Sequence, residues 1–196
     1  MKKIDSIEIH QTLHGYSDGH QLISSSVNLS SQSERVMAIL SDLSGSEIDN
    51  NFTEYYTGYF LYEEKYYVLS KTWYANEMKR PGCVWTHSLL IKELDLQVLQ
   101  YFGLVGSLFT RPKNTFEEYN NSIFFDKQKC DNETVDYEKL RFVVWSMYNF
   151  SQPVIISAKK ESLFSNEILY LWQLFAGDFL KYFTFCTGSL SGRSIY

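Results

Sequence analysis

Residues 7–27 read IEIHQTLHGYSDGHQLISSSV. Ile7, Ile9, Gln11 and Leu13 alternate with Glu8, His10, Thr12 and His14, the period-two pattern of a strand. Ser17, Asp18 and Gly19 then supply turn chemistry, with Gly15 and Gly19 free to take positive φ. Gln21 to Val27 reads as the returning strand. Setting His14 opposite His20 pairs Thr12 with Leu22, His10 with Ser24 and Ile7 with Val27. That register keeps Ile7, Ile9, Ile23 and Val27 on one face, so the chain is expected to open with an antiparallel hairpin.

The segments that follow extend this pattern. Ser31 followed by Glu34 fits a capping box, and Val36, Ile39, Leu40 and Leu43 form an apolar stripe that Gly45 would stop. A helix is expected over 32–43. A second hairpin is expected in TGYFLYEEKYYVLSKTWY (57–74), turning near Glu63 to Lys65. After the Pro81-Gly82 break, a strand runs from Cys83 to Ile91. Helices are expected over 94–102, 138–148 and 163–180, with a short strand over 154–157 and a last strand and turn in YFTFCTGSLSGRSIY (182–196). The polar stretch from Arg111 to Asp136 reads as a linker or long surface loop. The fold class is therefore α+β: one domain with a strand-rich half over 1–110, a polar loop over 111–136 and a helix-rich half over 137–196. Apolar residues continue to the last position, so the chain is expected to be the N-terminal part of a longer protein with downstream domains.

Composition narrows the function classes. The 196 residues are 44% apolar and 21% charged, ordinary for a packed domain. A net charge of −5, with Lys159-Lys160 the densest internal basic group, argues against binding bulk nucleic acid. No apolar run reaches the ~18 residues a spanning helix needs, since ILYLWQLFAGDFLKYFTF (168–185) is interrupted by Gln173, Asp178 and Lys181. Asp5 and Glu8 break any signal-peptide core. Cys83, Cys130 and Cys186 are odd in number and show no CxxC spacing, which points to a reduced, cytoplasmic setting.

Chemistry concentrates at the histidines, because His10, His14 and His20 are three of the chain's four. Opposed hairpin positions sit about 4.5–5.5 Å apart at Cβ, so His14 and His20 could share a metal ion, with Asp18 or His87 as a further ligand. His10 lies about 13 Å along the strand from His14 and cannot join without a bend. The bland account is an imidazole pair hydrogen-bonded to the turn and Asp18, with His87 a satisfied core residue. Catalysis by His14, Asp18, His20 and His87, with Ser17 or Cys83 as nucleophile, lacks any supporting motif: there is no G-x-S-x-G elbow or phosphate-binding loop. The His-x-Thr unit at His10 has no second copy, because Leu89 stands where His87 would need a hydroxyl. No metal or other cofactor is assigned. The other signal is aromatic content, 17%, with 15 Tyr and 14 Phe. Tyr59, Tyr62, Tyr66 and Tyr74 put more rings on the second hairpin than one inner sheet face should bury. Surplus rings suit a protein interface.

Several phrases taken together carry a resemblance: IHQTLHGYSDGHQL (9–22), LSDLSG (40–45), YYTGYFL (55–61), KTWYANEMKRPGCVWTHSLLI (71–91) and FTFCTGSLSG (183–192). In combination and order they resemble the N-terminal domain, type 1, of the GTPase-associated protein 1 family. The resemblance implies a bacterial domain encoded beside small GTPases in conflict or antiphage defence systems, with an adaptor or scaffold role. It implies no catalytic residue. Two readings stand: an interaction module that recognises a partner protein such as a GTPase, and a small hydrolase or nucleotide-processing domain built on His10, His14, Asp18, His20 and His87. The second requires those side chains to converge in a pocket with shifted pKa values. The first requires an exposed apolar patch.

Overall fold

The computed structural model describes residues 6–43, 54–78, 80–98, 105–113, 115–126, 135–149, 154–156, 164–175, 177 and 179–188. Among them are seven strands: β1 (Ser6–Tyr16), β2 (His20–Ser25), β3 (Glu54–Leu61), β4 (Tyr66–Tyr74), β5 (Val84–Lys92), β6 (Ile123–Asp126) and β7 (Phe185–Cys186). Three α-helices accompany them: α1 (Ser31–Ser41), α2 (Tyr137–Asn149) and α3 (Ser165–Leu174). The strands form a single antiparallel sheet in the order β2-β1-β5-β4-β3-β7, with β6 also paired to β1. The class is α+β, as the sequence implies.

Both faces of the sheet are covered. Met37 and Leu40 of α1 pack on Tyr59, Leu61, Tyr66, Val68 and Leu90. On the other face Ile7, Ile9, Tyr67, Leu69, Leu89 and Ile91 meet Val143 of α2 and Leu169, Leu171 and Trp172 of α3. Coverage on two sides explains why β5 is buried over eight of its nine residues instead of alternating. It also corrects the expectation of surplus rings, which assumed one inner face. Tyr55, Tyr59, Tyr66 and Tyr67 are all buried.

The α1 side carries a buried polar band toward the Val84 end of β5. Ser70 Oγ and Ser88 Oγ lie 2.8 Å apart, as do Thr72 Oγ1 and Thr86 Oγ1. Thr86 Oγ1 also donates to the Ser41 carbonyl at the end of α1. Cross-strand hydroxyl pairs satisfy one another where an apolar layer would otherwise sit.

Four local expectations change. The cap of α1 is Ser30, whose Oγ accepts from Ser33 N–H, and the helix ends at Ser41, before the Leu43 expected. Gly45 lies outside the described residues. Over the expected helix at 94–102, the described part is a 3-10 turn, Glu93–Val98. The expected helix over 163–180 resolves into α3 and a 3-10 turn at Leu180–Tyr182, while Val154–Ile156 is not a strand. The polar stretch after Arg111 is more than a linker: it contains a 3-10 turn at Glu117–Asn120 and β6, and it buries Tyr119 and Phe125.

Candidate functional site

The first hairpin forms, but in a different register. β1 continues to Tyr16, and Ser17, Asp18 and Gly19 make the loop, with Asp18 at φ 57° and Gly19 at φ 137°. Tyr16 therefore pairs with His20 and His14 with Leu22, and a bulge falls between Leu13 and His14. Ile7 pairs with Phe125 of β6, not with Val27. A left-handed residue closes the loop two residues beyond the expected point, and the whole register moves with it. His14 and His20 still share a face, their rings stacked at 6.1 Å and 17°.

The four histidines do not form one cluster. His87 points to the opposite face from His14, because it pairs with Leu13 while His14 pairs with Thr86. Thr110 N–H donates to its Nδ1 at 3.1 Å, so its Nε2–H donates to Gln11 Oε1 at 2.9 Å. The Gln11 amide in turn donates to the Glu118 and Asn121 carbonyls. Burial pushes the His87 pKa down to about 3. It is a satisfied core histidine. His10 lies on the His14 face but near Ser122, with Nδ1 2.8 Å from the hydroxyl and its ring edge-on to Tyr66. Burial lowers its pKa, against the opposing pull of Glu8. Asp18 is exposed in the turn. The five-residue site of the hydrolase reading is thus dispersed.

What does assemble is a cavity of about 320 Å³ at the tip of the first hairpin. Tyr16 and His20 come from β1 and β2, Asp42 and Leu43 follow α1, and residues 80–83 turn back into β5. His20 bridges to α1, with Nε2 2.8 Å from Ser41 Oγ and Nδ1 3.7 Å from Asp42 Oδ1. Asp42 Oδ1 also accepts the Leu43 N–H. Behind His20, His14 is fully buried; burial and the neighbouring imidazole hold its pKa to about 3, and its Nδ1 has no hydrogen-bond partner among the described residues. The Arg80 guanidinium lies 5.4 Å over the Tyr16 ring. Gly82 takes φ 87°, which lets the turn fold back. Burial raises the Cys83 thiol pKa, leaving it a thiol at neutral pH.

Gly15 fixes this geometry. A Cβ there would sit 2.1 Å from Trp85 Cζ3, so the indole packs flat against the hairpin only because the side chain is missing. Trp85 Nε1–H donates to Glu77, which pairs with Arg111 at 2.7 Å. The chain from hairpin tip to β4–β5 turn is held on both sides.

The arrangement has the parts of a binding pocket and few of those of a catalyst. Both His20 nitrogens are engaged, and Cys83 is not activated. Among the described residues no three His, Cys, Asp or Glu side chains are disposed to hold a metal ion. Sequence reasoning missed Tyr16, Asp42 and Arg80 as members of one site. Three of the phrases noted above contain them, yet their convergence depends on strand order.

The tyrosines of the second hairpin separate. Tyr59 and Tyr66 are buried, Tyr74 is half-buried, and Tyr62, 66% exposed, is the ring left at the surface. A larger aromatic surface lies on α2. Val143 and Ser146 face inward, while Tyr137 (68%), Trp145 (56%) and Tyr148 (92%) face outward with Val144 between them. Positions 137, 144, 145 and 148 share one stripe at helical spacing.

A family model described as GTPase-associated protein 1, N-terminal domain type 1, matches residues 8–109. No curated protein and no solved structure matches the chain. The matched span contains every described residue that lines the hairpin-tip cavity, whereas α2 falls outside it.

Proposed function

The chain belongs to the family of GTPase-associated protein 1 N-terminal domains of type 1, and from that membership we propose that it is a non-enzymatic recognition module that docks a small GTPase encoded nearby. The carrying observation is the outward face of α2. An aromatic stripe of Tyr137, Trp145 and Tyr148 on a helix already packed on its other side suits a protein interface. Tyr and Trp bring large contact area with few rotatable bonds, so they lose little entropy on docking. Arg141, paired with Glu138 at 3.3 Å, stands one turn after Tyr137 within the stripe and adds a polar contact there. A bacterial conflict or antiphage defence setting extends the reading and rests on the family alone. No helix of the described residues is long and apolar enough to cross a membrane.

The test is a calorimetric titration of the chain with that GTPase, loaded with GDP or with a non-hydrolysable GTP analogue. Trp145→Ala and Tyr148→Ala should each weaken binding by about 1–3 kcal/mol, as truncated anchors do. Unchanged affinity in both variants would remove α2 from the interface. Absence of binding in either nucleotide state would remove the adaptor reading itself.

A further inference from the structure

The hairpin-tip cavity is absorbed neither by that reading nor by the hydrolase alternative. We propose that it binds a small oxyanion, a phosphate or the phosphate group of a small molecule, through Arg80 and Tyr16. The inference does not depend on docking at α2, and the two fail separately.

Charge accounting favours an anion. Arg111 and Arg141 are each paired with a glutamate, at 2.7 and 3.3 Å. Arg80 instead lies over the Tyr16 ring, in contact with its hydroxyl, which orients the planar fork without neutralising it. A carboxylate does line the cavity, Asp42, but it faces His20 and accepts the Leu43 N–H. Asp42 also attracts the Arg80 guanidinium, but more weakly than the Tyr16 hydroxyl does, and among the described residues no ion pair forms to Arg80, so the fork stays open to a ligand. Guanidinium forks match oxyanions bidentately, and a phenol hydroxyl adds a donor. The chain as a whole carries −5, so diffuse attraction works against anions and any binding must be local.

Size and chemistry limit the occupant. About 320 Å³ lies at the lower end of ligand cavities, roughly 300–1,000 Å³, so one small ligand fits. Turnover is not part of the proposal, since neither His20 nor Cys83 offers a free base or thiolate.

Titration calorimetry of the intact chain at 150 mM salt, with inorganic phosphate, pyrophosphate and a nucleoside monophosphate as probes, tests the site. Saturable binding with Kd of about 1 mM or tighter is expected for at least one probe. Arg80→Gln should weaken it at least tenfold with no change in melting temperature, because Arg80 is exposed. Arg80→Lys should fall between, keeping charge but losing the fork. Tightest binding of phosphate identifies a free ion, and tighter binding of the monophosphate identifies a phosphorylated small molecule. No saturable binding up to about 10 mM, or equal affinity in parent and Arg80→Gln, overturns the proposal.

Discussion

The sheet and α2 treat their polar and aromatic groups in opposite ways. In the sheet, rings go inside: Tyr55, Tyr59, Tyr66 and Tyr67 are buried between two covering layers, and polar groups such as His87 and Gln11 satisfy one another there. On α2, rings go outside, and the buried face is a narrow strip of Val143 and Ser146. A buried polar network fixes one arrangement, because any slip strands a donor. An exposed aromatic stripe fixes nothing by itself and is available to a partner. The same residue type is therefore packed inside the sheet and left at the surface on α2.

The largest expected effect tests whether the halves are one cooperative unit. Trp172 of α3 is buried against the sheet, 6.1 Å from the Tyr67 ring. Trp172→Ala should cost about 3–5 kcal/mol in chemical denaturation while keeping a single transition. Two separate transitions would split the halves and dissolve the contrast.

Acid should weaken the sheet through its buried imidazoles. His14 and His87 titrate at about 3 in the fold against an ordinary 6.5. Between those values the unfolded chain binds more protons, so the stability they contribute is whole above 6.5 and declines as pH falls. Going from pH 7.5 to 5.5 should remove about 1.4 kcal/mol per histidine, roughly 3 in total. Urea titrations at the two pH values check this, and a flat profile would mean that these rings are solvated.

A smaller effect is expected at the hairpin tip. Gly15→Ala drives a methyl into Trp85 and should cost about 1–3 kcal/mol by overpacking. It should also weaken phosphate binding, since Tyr16 would move. A stable variant with unaltered binding would show that Gly15 does not position the cavity. The smallest effect belongs to Tyr62, whose exposed ring should tolerate Tyr62→Ala within about 0.5 kcal/mol on thermal melting. A larger loss would make it part of the sheet's packing.

Much of the sheet was legible because its signals are local. Alternation in Ile7–Leu13, the Glu63–Lys65 turn and the strand after Gly82 depend on neighbours in sequence, and β3, β4 and β5 lie where those signals put them. The first register was not, because one left-handed residue, Asp18, decided it. β6 was hidden for a different reason: four residues, Ile123 to Asp126, are too few to show a period amid polar flanks. The cavity was less legible still. Tyr16, Asp42 and Arg80 are separate in sequence, and only the placement of β1, α1 and β5 brings them together.

The order in which the sheet closes bears on how the chain is made. β1 pairs with β6, joining Ile7 to Phe125, and β3 pairs with β7, joining Gly58 to Phe185. Contacts of such sequence separation form slowly and wait for distant chain. At ribosomal rates of about 5–20 residues per second, the interval between finishing Lys92 and finishing Cys186 lasts roughly 5–20 seconds. Through that interval the outer flank of β3 is an open template for another nascent strand, while the flank of β1 closes sooner, once β6 has been made. β7 thus acts as a stopper on a sheet whose other strands all precede it in the chain.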